Sequence, residues 1–306
     1  MKALVTGGAG FIGSHLAEGL VRRGHAVRVF DNLSTGSLDN LAPVRDAVEV
    51  VTGDLRDGEA VRRAVAGAEV VFHQAADPSV PRSISHPRDC YDINVLGTLN
   101  LLAAARDAGC RRVVFASSCA VYGNDPRQPK SEELPPAPES PYASSKLAGE
   151  ELCQVFTRVY GLEAVALRYF NVYGPRQSPD GPYASVIPRF IADLKAGARP
   201  RVFGDGEQTR DFIFVGDVVE ANLRAATADE AVGEVVNVGS GRSTSLNTLL
   251  TVLAPLIGST VEPIYEAERP GDVRHSLAEM SKARRLLGFE ARTPLAEGLA
   301  QTVRGC

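Results

Sequence analysis

Lys2-Ala3-Leu4-Val5-Thr6-Gly7-Gly8-Ala9-Gly10-Phe11-Ile12-Gly13 opens the chain and decides how it folds. A short apolar, β-branched run enters a glycine cluster, and a helical pattern, Ser14–Arg23, leaves it. The reading is strand, tight turn, helix. Gly7, Gly10 and Gly13 stand at the hand-over, where a residue without Cβ lets the backbone turn sharply and approach a pyrophosphate. The helix start then points free N–H groups and the positive dipole end at those phosphates. The spacing is Gly-x-x-Gly-x-x-Gly, not the commoner Gly-x-Gly-x-x-Gly, so an ordinary strand–helix junction is the competing reading.

Outward from this turn the alternation continues. Apolar runs at Ala3–Thr6, Ala26–Phe30, Val48–Thr52, Glu69–His73, Arg112–Ser117 and Ala164–Arg168 are rich enough in Val, Phe and Ala for strands covered on both faces. Helical patterns at Ser14–Arg23, Asp57–Ala66, Asp89–Ala108 and Tyr142–Tyr160 lie between them. This predicts an α/β fold, a doubly wound parallel sheet of the dinucleotide-binding Rossmann kind, over residues 1–170. After Phe170 the character changes. Pro and Gly cluster in Tyr173–Pro182 and Gly204–Gly206. Shorter pieces follow: helices at Ser185–Ala196, Asp217–Ala226 and Leu246–Leu256, strands at Arg201–Phe203 and Glu234–Asn237. They predict a smaller mixed C-terminal substrate lobe over 171–306, with segments from 204–240 returning to the first domain.

The chain has 306 residues and a formal net charge of −4 with no basic run, which argues against nucleic acid as a partner. No apolar run approaches ~20 residues, so no membrane span is expected. Met1 leads straight into the first strand, and no signal peptide is expected. Cys90, Cys110, Cys119, Cys153 and Cys306 are scattered without metal-ligand spacing. Reduced thiols, no metal and a cytoplasmic location are the expectation.

The second strand ends at Phe30-Asp31-Asn32. An acid there is placed to bond the ribose hydroxyls of an adenosine. It also repels a 2′-phosphate: two like charges about 4 Å apart cost roughly 4 kcal/mol at an effective dielectric near 20. NAD is therefore favoured over NADP. The plainer reading of Asp31 is a turn former. Asp54, in Thr52-Gly53-Asp54-Leu55, is a candidate for the adenine edge.

Tyr142 and Lys146 stand four apart, on one face of a helix. A free phenol is only about one part in a thousand ionised at pH 7. An ammonium and a positive nicotinamide ring would both favour the phenolate, and a drop of ~3 units asks about 4 kcal/mol of them. Tyr142 would then act as general base. Alone, the pair could simply pack and snorkel. The run Phe115-Ala116-Ser117-Ser118-Cys119-Ala120 adds a hydroxyl at the carboxyl end of a strand, where open α/β sheets bind ligands. Ser118 can bond the same oxygen as Tyr142.

Together, Thr6–Gly13, Asp31-Asn32, Ser117-Ser118 before Val121-Tyr122-Gly123, Tyr142-x-x-x-Lys146, Arg168-Tyr169-Phe170-Asn171-Val172-Tyr173-Gly174-Pro175 and Gly204-Asp205-Gly206-Glu207-Gln208-Thr209-Arg210-Asp211-Phe212 resemble an extended short-chain dehydrogenase/reductase. The resemblance spans essentially the whole chain and is specifically to nucleotide-sugar 4-epimerases of the UDP-galactose 4-epimerase type. It implies reversible 4-epimerisation of UDP-glucose and UDP-galactose, and of their N-acetylated counterparts, through a transient 4-keto sugar with tightly bound NAD. The implied catalytic set is Ser118, Tyr142 and Lys146. The implied cofactor pocket adds Gly7, Gly10, Phe11, Ile12, Gly13, Asp31, Asn32, Ser34, Thr35, Gly36, Asp54, Leu55, Gln74, Ala75, Ala76, Asn94 and Tyr169. The implied substrate contacts are Ser79, Ser118, Asn171, Val186, Arg201, Phe203, Arg210, Arg269 and Ser276, with Asn171, Arg210 and Arg269 on the diphosphate. A guanidinium suits that bidentate task.

Relatives that eliminate or decarboxylate carry acids just after the catalytic hydroxyl residue. Here Cys119 and Ala120 stand there. Ser276 matches a position bordering the sugar 2-substituent, and a small residue there admits an acetamido group without rejecting a hydroxyl. His73 and His275 read as structural. The family also implies a homodimer through the helices at Asp89–Ala108 and Tyr142–Tyr160. The open alternatives are another UDP-sugar enzyme of this fold (a UDP-glucuronate 4-epimerase, a decarboxylase or a reductase) and a non-catalytic NAD-binding protein.

Overall fold

The computed structural model describes residues 1–179, 185–268 and 273–305. Strands β1 (Lys2–Thr6), β2 (Ala26–Asp31), β3 (Val48–Thr52), β4 (Val70–His73), β5 (Arg112–Ser118) and β6 (Glu163–Tyr169) join the Val235–Val238 strand in one sheet. From one edge the order is Val235–Val238, β6, β5, β4, β1, β2, β3, and every pairing is parallel. Chain direction across the sheet reverses between β1 and β4, the switch point where doubly wound sheets bind ligands beyond the strand ends.

Period-two alternation sorts the strand residues into two cores. Ala3, Val5, Val29, Phe72, Val114 and Val165 pack on one side with Leu16 and Leu20 of helix α1 (Phe11–Arg22) and with Val218 and Val219. Leu4, Phe30, Val71, Val113 and Phe115 pack on the other with Val61, Val65, Leu101, Leu102, Cys153 and Phe156. A third core of Ile187, Phe190, Ile191, Val202, Phe212, Leu249, Leu253 and Leu299 belongs to the later part of the chain.

Most expected elements are present, with local differences. The stretch expected as one helix over Asp89–Ala108 is three consecutive pieces: an α segment Pro87–Tyr91, a π turn Asp92–Leu96 and an α segment Gly97–Asp107. Such π turns inside helices often mark functional sites. The second half holds small sheets of strands two or three residues long, of which the sequence shows only Arg201–Phe203, because so short a strand has too few residues for a period. Asn171–Tyr173 pairs with Phe212–Phe214, Arg201–Phe203 with Ile264–Glu266, and Thr209–Arg210 with Thr244–Ser245. Helices Ser281–Leu287 and Leu295–Arg304 also had no sequence expectation.

Candidate active site

A cavity of about 680 Å³ opens at the carboxyl ends of β1 to β5. The turn after β1 forms its floor. Gly7 has φ 67°, and a Cβ there would lie 2.7 Å from the Ala75 nitrogen. A Cβ on Gly13 would lie 2.1 Å from the Gly7 carbonyl oxygen. Helix α1 starts at this floor with Gly10 as its cap and no side chain bonded over the first turn. Its free N–H groups therefore remain for an anion.

At the end of β2, Asp31 accepts N–H bonds from Ala9 at 2.9 Å and Leu33 at 2.8 Å. It is buried and still lines the cavity. Asn32 donates to Asp54 at 2.9 Å, and the Arg56 guanidinium holds the Asp54 carboxyl well below the usual carboxylate range. Phe11, Ile12, Ser34, Thr35, Leu55, Gln74, Ala75, Ala76 and Tyr169 share the lining. Asn222 donates to the Tyr169 hydroxyl at 2.8 Å, and Gln74 reaches the same oxygen. Gly36 and Asn94 stand behind the wall. A Cβ on Gly36 would meet Ala9 at 2.8 Å. Asn94 sits in the π turn and brackets Asp77, accepting its N–H at 2.8 Å and donating to its carbonyl at 3.1 Å. A dinucleotide fits this arrangement: a side-chain-free cradle, a carboxylate at the ribose position, and a cation and a phenol at the far end.

The far end is built on the helix Pro141–Tyr160. Ser140 caps it by accepting from Ala143 N–H at 3.1 Å, Pro141 presets its first turn, and Gly161 at φ 71° ends it. Both backbone groups of Tyr142 are held. Its N–H donates to Ser83 Oγ at 3.1 Å, and its carbonyl accepts from Ser145 Oγ at 2.7 Å. Lys146 donates from Nζ to the Ala116 carbonyl at 2.9 Å and lies 5.2 Å above the Phe115 ring centre. Ser118 ends β5, its Oγ accepts the Ala120 N–H at 3.2 Å, and its hydroxyl lies on the side of the Tyr142 phenol.

Burial dominates the electrostatics of this pair. The protein's own groups do not hold the phenol low: burial pushes Tyr142 up to about 12, opposed in part by the Ser118 hydroxyl. Burial also pushes Lys146 down to about 8. Ionising a phenol of that pKa at pH 7 costs about 7 kcal/mol. Sequence spacing shows that Tyr142 and Lys146 share a face, but not how deeply that face is buried, and here desolvation wins.

Of the expected substrate residues, Ser79 lines the cavity and caps the helix Val80–Ser85. Asn171, Val186, Arg201, Phe203, Arg210 and Ser276 lie off the cavity wall, on the later segments, and Ser118 follows the lining residue Ser117 on β5. Asn171 opens a short strand and its N–H donates to the Asp211 carbonyl at 3.0 Å. Val186 begins the helix Val186–Lys195. Arg201 is exposed, 3.7 Å from Glu266, and Phe203 ends the same strand. Arg210 donates to the Thr209 carbonyl at 3.0 Å. Ser276 is 8% exposed and its N–H donates to the same residue's carbonyl at 3.1 Å. Arg269 lies outside the described residues. Cys119, next to Ser118, lies on the side of Ser276, and its thiol is pushed up to about 11 by burial. His73 is buried between Thr6 and Thr98, and His275 bonds Thr209 at the surface.

The sequence reading missed Arg56, Asp77, Arg82 and Ile93 on the cavity wall, and Ser83 and Ser145 behind Tyr142. The first four sit on or beyond the segments that follow β3 and β4, so the strand-end rule could have marked them.

Residues 3–239 match the NAD dependent epimerase/dehydratase family. The UDP-glucose 4-epimerase of Mycolicibacterium smegmatis is 43% identical over 307 residues, covering 99% of this chain and 97% of that protein. A solved UDP-N-acetylglucosamine 4-epimerase from Methanobrevibacter ruminantium, in complex with UDP-N-acetylmuramic acid, superposes with a TM-score of 0.95. It is 39% identical, covering 99% of this chain and 97% of that one. The UDP-glucose 4-epimerase of Thermus thermophilus, solved with NAD, gives a TM-score of 0.90 at 40% identity, covering 100% and 98%.

Proposed function

The chain belongs to the NAD-dependent epimerase/dehydratase family, and on that footing we propose that it interconverts the 4-epimers of UDP-hexoses. Its substrates are UDP-glucose and UDP-galactose, together with UDP-N-acetylglucosamine and UDP-N-acetylgalactosamine. The observation that carries the reading is Tyr142 and Lys146 at one end of a cavity whose floor is the glycine turn and whose other end carries Asp31, with Ser118 directly after the lining residue Ser117.

The cofactor is NAD, held by Gly7, Gly10 and Gly13 at the pyrophosphate and by Asp31 at the adenosine ribose. NAD bound there would supply a reversible hydride acceptor for C4 of the sugar. Tyr142 receives the proton of the sugar 4-hydroxyl and returns it, so no net oxidation results. Ser118 bonds the same oxygen and steadies it. Lys146 places a cation beside the phenol and so reduces the cost of ionising it. Between the two transfers the sugar is a 4-ketone that must turn over. This requires firm anchors on the UDP and few on the hexose, and we assign the anchors to Asn171, Arg210 and Arg269. Cys119 and Ala120 bring no acid beside Ser118, which favours epimerisation over elimination or decarboxylation. Ser276, small and buried against Cys119, leaves room for an acetamido group.

We assign NAD binding to residues 1–170 with segments returning from 204–240, and UDP-sugar binding to 171–306. Free thiols at Cys90, Cys110, Cys119 and Cys153 support a reducing compartment, and we infer the cytoplasm. Exposed Tyr91, Leu96 and Leu99 on one helical stretch, and Val155, Val159 and Tyr160 on the helix Pro141–Tyr160, support a homodimer through these faces. The test is incubation with UDP-galactose, and separately with UDP-N-acetylglucosamine, without added NAD. The 4-epimer of each is expected. Net oxidation with an absolute need for added NADPH would overturn the reading.

A further inference from the structure

Beneath the Tyr142–Lys146 pair lies a buried ion pair that the reaction described above does not use. The helix face that carries Tyr142 and Lys146 carries Glu150 one turn further on. Glu150 is 2% exposed and Arg168, on β6, is 4% exposed. The carboxylate accepts from Arg168 Nε at 2.9 Å and Nη2 at 2.7 Å, and it also accepts the Ser117 hydroxyl. Arg168 lies 4.7 Å over the Tyr122 ring and keeps one buried nitrogen, Nη1, without a partner.

An ion pair this deep is a costly way to join a helix to a sheet, since apolar residues of the same volume often do as well or better. What distinguishes this one is its place. Ser117 lies between Ala116, whose carbonyl takes the Lys146 ammonium, and Ser118, whose hydroxyl lies on the side of the Tyr142 phenol. One carboxylate thus fixes the strand segment that supplies both groups.

It is also a charge close to Lys146. The other titratable groups facing that amine are Tyr142 on the same helix, Cys90 from the segment Pro87–Tyr91 and His73 from β4, with Arg168 beyond Glu150. Asp77, at the cavity wall, is ion-paired with Arg82. Burial pushes the Cys90 thiol up and His73 down to about 3, so both are neutral near pH 7.

We propose that Glu150 is a positioning residue for the epimerisation: its carboxylate sets Ala116, Ser117 and Ser118 against the catalytic helix and keeps Lys146 an ammonium. The proposal rests on the reading of Tyr142 and Lys146 as the proton-transfer pair. Burial depresses Lys146; a Cys90 thiolate and, after it, the Glu150 charge oppose that depression, and with the Cys90 thiol kept neutral by burial Glu150 is the one that acts near pH 7.

The test is the titration of the Lys146 side chain by carbon NMR at Cε, on protein without substrate. The chain has only Lys2, Lys130, Lys146, Lys195 and Lys282, and the Lys146→Arg variant identifies the signal. Glu150→Gln keeps the shape and removes the charge. The Lys146 midpoint should fall by about one pH unit, and the alkaline limb of kcat/KM should move with it. Glu150→Asp keeps the charge and shortens the reach. Its midpoint should stay near the original while kcat falls about tenfold at little change in KM. An unmoved midpoint in Glu150→Gln, with activity or melting temperature reduced, would make the pair purely structural and overturn the proposal. Should Glu150→Gln fail to fold, full kcat in Glu150→Asp overturns it instead. The midpoint is read without turnover. A protein inactive on every UDP-sugar would therefore sink the epimerase reading while leaving the Glu150–Lys146 coupling measurable.

Discussion

The two ends of the site are constructed in different ways. The end proposed for the cofactor is regular secondary structure: β1 enters a turn of glycines, α1 leaves it, and backbone atoms pass within reach of one another with nothing between. The end proposed for the substrate is made of loops and strands of two or three residues, stapled by side chains that accept backbone N–H groups. Asp211 alone takes the Ser240 N–H at 2.6 Å, the Ser240 hydroxyl at 2.7 Å, the Gly241 N–H at 2.9 Å and the Ala278 N–H at 3.1 Å. Asp217 takes Arg292 N–H and Thr293 N–H, each at 3.1 Å. The difference suits a reaction in which one ligand stays and the other turns over. A backbone cradle tolerates no added atom, whereas a stapled loop can be retuned one side chain at a time.

The largest expected effect comes from adding one methyl group to the cradle. In Gly13→Ala, helix propensity alone favours alanine by about 1 kcal/mol. Against this stands a Cβ placed 2.1 Å from the Gly7 carbonyl oxygen, an overlap with backbone that must be relieved by moving the turn. Overpacking of this kind costs typically 1–3 kcal/mol, so NAD affinity should fall about 100-fold while UDP binding is spared. The measurement is the NAD content of the purified variant beside calorimetric titration with UDP. A variant that retains NAD as well as the parent would break the contrast at its firmest point.

The matching change at the other end is Asp211→Asn. Asparagine offers one acceptor atom and a donor NH₂, so two of the four bonds must be lost or opposed. A buried donor left without a partner costs ~1–3 kcal/mol. Because the loss falls on the loops holding Arg210 and Ser276, KM for the UDP-sugar should rise about 30-fold, with NAD retention unchanged. Equal damage to NAD and UDP-sugar binding would mean that the two ends are one mechanical unit.

The same contrast explains what could be read from the chain beforehand. Glycine spacing, Asp31 and the strand alternation are local signals, and the sheet they predict is present with boundaries shifted by a residue or two. Tyr142-x-x-x-Lys146 gave the face but not its burial, so the phenol's raised pKa was invisible. The short strands Asn171–Tyr173 and Thr209–Arg210 have too few residues to show a period, and their pairing depends on distant partners, Phe212–Phe214 and Thr244–Ser245. Glu150 had no signal at all, because its meaning lies in Arg168 and Ser117 on two other elements.

The smallest effect expected is a dependence on acid confined to the cofactor end. His73 is held in one tautomer by its neighbours. Thr98 Oγ1 donates to the Asn94 carbonyl at 2.5 Å, so it accepts from Nε2, 2.9 Å away. Nδ1, 2.8 Å from Thr6 Oγ1, is then left to accept. A second proton has no acceptor there, and burial, helped by the charge of Lys146, pushes His73 down to about 3. Unfolded, the ring has a pKa near 6.5. Between these values the unfolded chain binds the extra proton and the folded one does not, so stability is complete above about pH 6.5 and falls as the pH drops. At pH 5 the loss from this residue is about 2 kcal/mol. Comparing urea unfolding at pH 7 and pH 5 for the parent and for His73→Gln isolates it, since other acid-sensitive groups act in both. The variant should lose about 2 kcal/mol less than the parent. An identical loss would show that the buried ring takes up its proton without cost, and that the regular end of the site is more yielding than its geometry implies.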